Sequence, residues 1–99
     1  MVIITGFLDF PDLDPTEVRA ALDEVTVLSR QDDGCIDYWW AEDARRPMRF
    51  RFFECWESQD HLDRHRDQPF EHEFLARWAS RCSGADAYTY AVADRRRES

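Results

Sequence analysis

Lysine and asparagine are absent from the 99 residues, and all 13 basic side chains are arginine. Without lysine there is no Schiff-base amine and no P-loop cation, and without asparagine there is no N-glycosylation acceptor. Positive charge is itself the minority, 13 groups against 21 acidic ones for a net −8. Such a field repels phosphate, so no nucleic-acid partner is expected. No stretch approaches the roughly 18 consecutive apolar residues of a membrane span. The opening MVIITGFLDF lacks a basic segment and a small-residue cleavage site, so no signal peptide is expected. The cysteines are few and odd in number, Cys35, Cys55 and Cys82, with no CxxC pair. They are expected to be reduced, small, buried residues of a cytoplasmic protein. What the chain does carry is aromatic bulk: four Trp, three Tyr and seven Phe. In one small domain that load points to an internal pocket, a subunit interface, or both.

The chain reads as one domain over residues 1–93 with a charged tail over 94–99. Val2 to Phe10 is β-rich and ends at Pro11. Asp14 is placed to cap a helix with Pro15 at its first position and Glu17 where a capping-box acid belongs. Val18, Ala21, Leu22, Val25 and Leu28 then mark one face at helical spacing, and the turn at Gln31–Gly34 closes it. Residues 35–42 and 48–56 read as a hairpin. Ser58 caps a short helix running to about His65. Pro69 opens another, with Phe70, Phe74, Trp78 and Cys82 recurring every four residues up to Ser83-Gly84. Residues 85–93 alternate as a last strand. The order β-α-β-β-α-α-β predicts an α+β, ferredoxin-like fold with a four-stranded antiparallel sheet and an interrupted second helix.

Pairing Trp40 with Phe50, Tyr38 with Phe52 and Ile36 with Glu54 places Tyr38, Trp40, Phe50, Phe52, Glu54 and Trp56 on one face of the hairpin. Asp37, Trp39, Arg49, Arg51 and Phe53 fall on the other. Neither face is purely polar, so both are expected to be covered, one by helices and one by a second subunit. Arg49 and Arg51 are expected to pair with carboxylates at that subunit interface, and Glu54 to find an arginine partner or to line a cavity. His61 and His65 share helical metal-ligand spacing, but without an HExxH pattern no metal is expected. His72, between two glutamates, is expected to face solvent.

Three segments taken in order carry a resemblance: Gly34-Cys35-Ile36-Asp37-Tyr38, Phe53-Glu54-Cys55-Trp56-Glu57-Ser58, and Leu62-x-x-His65, followed by the helix from Pro69-Phe70 to Phe74. Together they resemble the antibiotic biosynthesis monooxygenase family over residues 1–93. The resemblance implies a homodimer, the dimeric α+β barrel, in which two such sheets face each other with the helices outside. It also implies oxygenation of a polycyclic phenol or quinol by molecular oxygen with no cofactor. That chemistry needs a base, a dry aromatic pocket and polar groups to hold an anion. On this basis His65 is the first choice as catalytic base, with Glu54 as runner-up or orienter. Tyr38, Trp40, Phe50, Phe52, Trp56 and Trp78 are candidate substrate walls, and Tyr88 and Tyr90 candidate hydrogen-bonding groups. The active-site Asn common in cofactor-independent members is missing, and Thr5 is the stand-in on the first strand. In the haem-degrading branch, alignment from Trp56-Glu57-Ser58 puts His65 where a Trp is needed and Leu75 where the axial His is needed, so haem degradation is not expected. The alternatives are a non-catalytic or stress-associated small-molecule-binding dimer of the same fold, and isomerase or lactonase chemistry on the same scaffold.

Overall fold

Asp14 ends an extended segment and turns its carboxylate back to accept from the Thr16 amide, and Pro15 starts α1, Pro15–Arg30. The cap and the fixed proline φ hold the helix entry, which then lays Val18, Leu22 and Val25 against the sheet. In the computed structural model, which describes residues 1–98, the other elements are β1 (Val2–Asp9), β2 (Cys35–Glu42), β3 (Arg49–Trp56), α2 (Gln59–Arg66), α3 (Pro69–Arg77) and β4 (Gly84–Ala91). The four strands form one antiparallel sheet in the order β2-β3-β1-β4, the ferredoxin-like arrangement. Of the 94–99 tail, Ser99 lies outside the described residues.

All three helices pack on one side of the sheet. Val2 from β1, Tyr38 from β2 and Phe50, Phe52 and Trp56 from β3 point toward them and meet Val18, Leu22, Val25, Leu62, Phe74 and Trp78. Alternation sends Ile3, Thr5, Phe7, Trp39, Phe53, Tyr88 and Tyr90 to the opposite side. Among the described residues no helix covers that second face, where Tyr88 and Tyr90 are 61% and 51% exposed. It is nonetheless organised: Trp39 stacks on Phe53 at 5.6 Å, and the Arg49 guanidinium lies 3.6 Å from the Phe7 ring centre.

Three expectations need correction. The hairpin pairs Trp40 with Phe52 and Tyr38 with Glu54, two residues further along β3 than the expected register, and Ile36 is an extra residue in a bulge. Because side chains alternate with a period of two, the faces survive the shift. The cause lies in the loop, where Met48 adopts φ 64° and donates its N–H to the Glu42 carboxylate, lengthening the connection. Next, the helix opened by Pro69 ends at Arg77; Trp78 departs from helical geometry and a 3₁₀ turn spans Ala79–Arg81. Cys82 therefore lies beyond the helix, although it still packs against the core. Finally, Arg49 and Arg51 find their carboxylates within the chain, on Asp9 and Asp43. Among the described residues no helix is long and apolar enough to cross a membrane.

Candidate active site

The short helix α2 is held at its start by Ser58, whose hydroxyl accepts from the His61 amide and bonds the His61 ring. One turn later His65 points inward beneath β3 and is only 2% exposed. Its ring stacks on Trp56 at 4.5 Å, with Tyr38 and Phe70 at 6.0 and 5.8 Å. Inside this aromatic box the imidazole meets three acidic side chains from three elements. Nδ1 is 2.8 Å from Asp32 Oδ2 in the turn after α1. Nε2 is 3.3 Å from Glu71 Oε2 on α3 and 3.7 Å from Glu54 Oε1 on β3, without an aligned hydrogen bond to either. Glu54 takes its clear hydrogen bond from the Trp56 indole N–H at 3.0 Å, and Gln68 braces the other oxygen of Asp32 at 3.0 Å.

Burial raises the Glu54 carboxyl to about 6, more than the Trp56 hydrogen bond and the His65 charge lower it. For His65 burial acts downward, yet the close Glu71 carboxylate, the hydrogen bond with Asp32 and the charge of Glu54 outweigh it, and the net shift is upward. The Tyr38 phenol is pushed far up by burial and by the charges of Glu54 and Glu71, so it stays neutral. Its oxygen accepts from the Trp40 indole at 3.0 Å, tying the box to the next aromatic layer, Trp40, Phe52 and Phe74. An imidazole and a carboxyl with displaced titration, walled by rings, can move a proton in a dry setting.

Of the residues singled out in the sequence, His65, Glu54, Tyr38 and Trp56 converge here, with Trp40 and Phe52 one layer away. Phe50 packs on Phe10 in the core instead. Trp78 borders a separate crevice of about 70 Å³ between α1 and α3, lined also by Val25, Leu28, Phe70 and Phe74. Thr5, Tyr88 and Tyr90 do not reach the box: they lie on the far side of the sheet, and the Thr5 hydroxyl donates to the Phe52 carbonyl. Glu54 finds an indole and an imidazole rather than an arginine. His61 and His65 diverge, His61 facing Ser58, Asp33 and Glu57, and among the described residues no cluster of side chains is arranged to hold a metal ion. His72 is exposed.

Residues 1–77 match the family described as "Antibiotic biosynthesis monooxygenase", a span that covers the box and the first three strands of the sheet. The chain belongs to the antibiotic biosynthesis monooxygenase family. Among solved structures, a Deinococcus radiodurans protein provisionally assigned as an antibiotic biosynthesis monooxygenase superposes with TM-score 0.89 at 22% identity, over 100% of this chain and 99% of its own. The Mycobacterium tuberculosis protein Rv0793 superposes with TM-score 0.79 at 27% identity, over 95% of each chain. An uncharacterized protein of Synechocystis is 43% identical over 47 residues, which is 48% of this chain and 32% of that protein. The match thus spans about a third of the curated relative's length.

Two members of the cluster in this antibiotic biosynthesis monooxygenase family protein, Asp32 and Glu71, escaped the sequence reading. Asp32 looked like one of two equivalent turn acids. Glu71 carried a usable signal, because Glu71, Phe74 and Trp78 follow the three-then-four spacing of a buried helix stripe.

Proposed function

We propose that the protein is a cofactor-independent monooxygenase that oxidises an aromatic, polyketide-like or quinol-type small molecule with O2, working as a homodimer in the cytoplasm. The observation that carries this reading is the His65–Glu54 pair, an imidazole and a buried carboxyl 3.7 Å apart inside walls of Trp56, Tyr38 and Phe70. The pair takes a proton from an electron-rich hydroxyl or activated methylene. The resulting anion passes electrons to O2, one oxygen atom is retained in the product and the other leaves as water. Both electrons come from the substrate, so the sum closes without an external reductant. The family membership supports the reaction class, and the helix-free sheet face with Trp39, Phe53, Tyr88 and Tyr90 supports the dimer.

The test is oxygen uptake with a panel of polycyclic phenols, anthrone-type ketones and hydroquinones, with anaerobic controls. Uptake matched by a product that has gained one oxygen and lost two hydrogens is expected, and Glu54→Gln should lower the rate by roughly 10²–10⁴-fold. Panel members that bind and consume no oxygen would count against catalysis. A second reading, a dimer of the same fold that binds such molecules without turning them over, is favoured by one observation. The recess that reaches His65, about 170 Å³, is lined by polar side chains including Asp32, Arg64 and Gln68, and is separate from the aromatic crevice at Trp78. Saturable binding with no uptake would select it.

A further inference from the structure

Every nitrogen of the His65 ring faces an acidic side chain. Nδ1 meets Asp32 at 2.8 Å, and Nε2 meets Glu71 at 3.3 Å with Glu54 beyond it at 3.7 Å. A neutral imidazole donates through one nitrogen only, and the lone pair of the other would point at carboxyl oxygens. A ring protonated on both nitrogens satisfies both sides at once. Access separates the ring from its acids: the His65 side chain is 1% exposed, whereas Glu54 and Asp32 each keep 12% of their side-chain surface and Glu71 keeps 11%. Glu54 also touches the ring less closely than Glu71 does, and its one firm hydrogen bond comes from an indole that carries no charge.

Resting on the proton-transfer reading above, we propose that Asp32 and Glu71 hold His65 as a fixed imidazolium, leaving Glu54 as the member of the cluster that accepts the substrate proton. His65 then supplies a buried positive charge beside the anion formed from the substrate, and stabilises that anion as it gives up electrons. Asp32 and Glu71 are positioning residues that act through the ring. Gln68 extends the arrangement one step outward by donating to the second oxygen of Asp32. The other charged groups near the cluster are Arg66, which acts on Glu54, and Asp33, His61 and Arg64 around the recess; Tyr38 from β2 completes the packing as a neutral phenol. The upward shift of both His65 and Glu54 agrees with the geometry.

The experiment reads the ring itself and needs no substrate. Protein labelled with ¹⁵N in its histidine rings is titrated by NMR, with His65 assigned by its loss in His65→Gln. Both ring nitrogens should carry protons at pH 7, with a midpoint above the ordinary histidine value of about 6.5. Asp32→Asn and Glu71→Gln should each move that midpoint down, and circular dichroism identifies which variants are folded. If one variant fails to fold, the other and the wild-type titration decide. An unprotonated Nε2 at pH 7, accepting from a protonated Glu54 or Glu71, would overturn the proposal, as would a midpoint unmoved in the folded variants. Failure of the oxygenase reading shows instead as absent oxygen uptake with these ring states intact.

Discussion

A buried carboxyl is a cost that the rest of the fold has to carry, and Glu54 puts that cost where pH can reveal it. Its ordinary value of 4.5 becomes about 6 on burial, so the folded chain holds this proton more tightly than the unfolded one. The associated stability is fully present below pH 4.5 and is lost as pH rises through 6, a difference of about 2 kcal/mol. His65 acts in the same sense, its contribution present below the ordinary histidine value and lost as pH rises through its raised folded value. Glu54→Gln removes the ionisation while keeping an oxygen for the Trp56 indole. Urea unfolding at pH 4.5, 6 and 7.5 should therefore show a flatter profile for the variant, with stability above wild type at pH 7.5 by up to about 2 kcal/mol. A variant weaker than wild type at pH 7.5 would mean that ionised Glu54 stabilises the fold. At this scale the sequence was informative about types and blind to partners. Glu54 and His65 stand out through the family resemblance, which marks the Glu54-Cys55-Trp56-Glu57-Ser58 strand end and the short helix ending in histidine; Asp32 and Glu71 do not, because turns and first helical turns are where exposed acids ordinarily sit.

Elements were legible wherever a cap or a period marked them, and obscure where the chain departs from ideal geometry. Asp14-Pro15 and Ser58 predicted two helix starts that the structure contains. The hairpin register was missed because two local irregularities, the bulge at Ile36 and the positive φ of Met48, leave no mark in alternation. The early end of α3 was missed because Trp78 and Cys82 stay on the core side of the 3₁₀ turn, so four-residue spacing persists after the helix has stopped. Between α1 and β2 the turn depends on Gly34, with φ 81°. A Cβ at that position would run into the His61 ring as well as straining the backbone. Gly34→Ala is expected to destabilise the protein by about 1–3 kcal/mol, read as a lower urea midpoint with an unchanged slope. The same turn carries Asp32, so the variant should also loosen the Asp32–His65 contact, visible as a changed His65 ring signal.

At the scale of the whole molecule the ferredoxin-like order could be read from the chain because each element is bounded by a local signal, whereas the meaning of the second sheet face could not. In a monomer that face would leave Ile3, Phe7, Trp39, Phe53, Tyr88 and Tyr90 without a layer over them, while the helix side is closed by a continuous core. A layered domain buries both faces of such a sheet or keeps one polar. Two arginines on the face are already paired inside the chain, Arg49 with Asp9 and Arg51 with Asp43, so a partner can cover those pairs without stranding their charges, while Asp37 and Asp86 share the face outside them. A second copy of the sheet meets that requirement, since the same rings and the same neutralised pairs then face each other. Sedimentation at micromolar concentration should give a dimer. The double variant Tyr88→Glu with Tyr90→Glu, which places like charges at two exposed positions on the side of edge strand β4 away from the helices, should sediment as a monomer and keep the far-ultraviolet circular dichroism of the parent. A wild-type monomer would leave the exposed rings without the partner proposed here, and a dimer that survives both substitutions would place the contact on another surface.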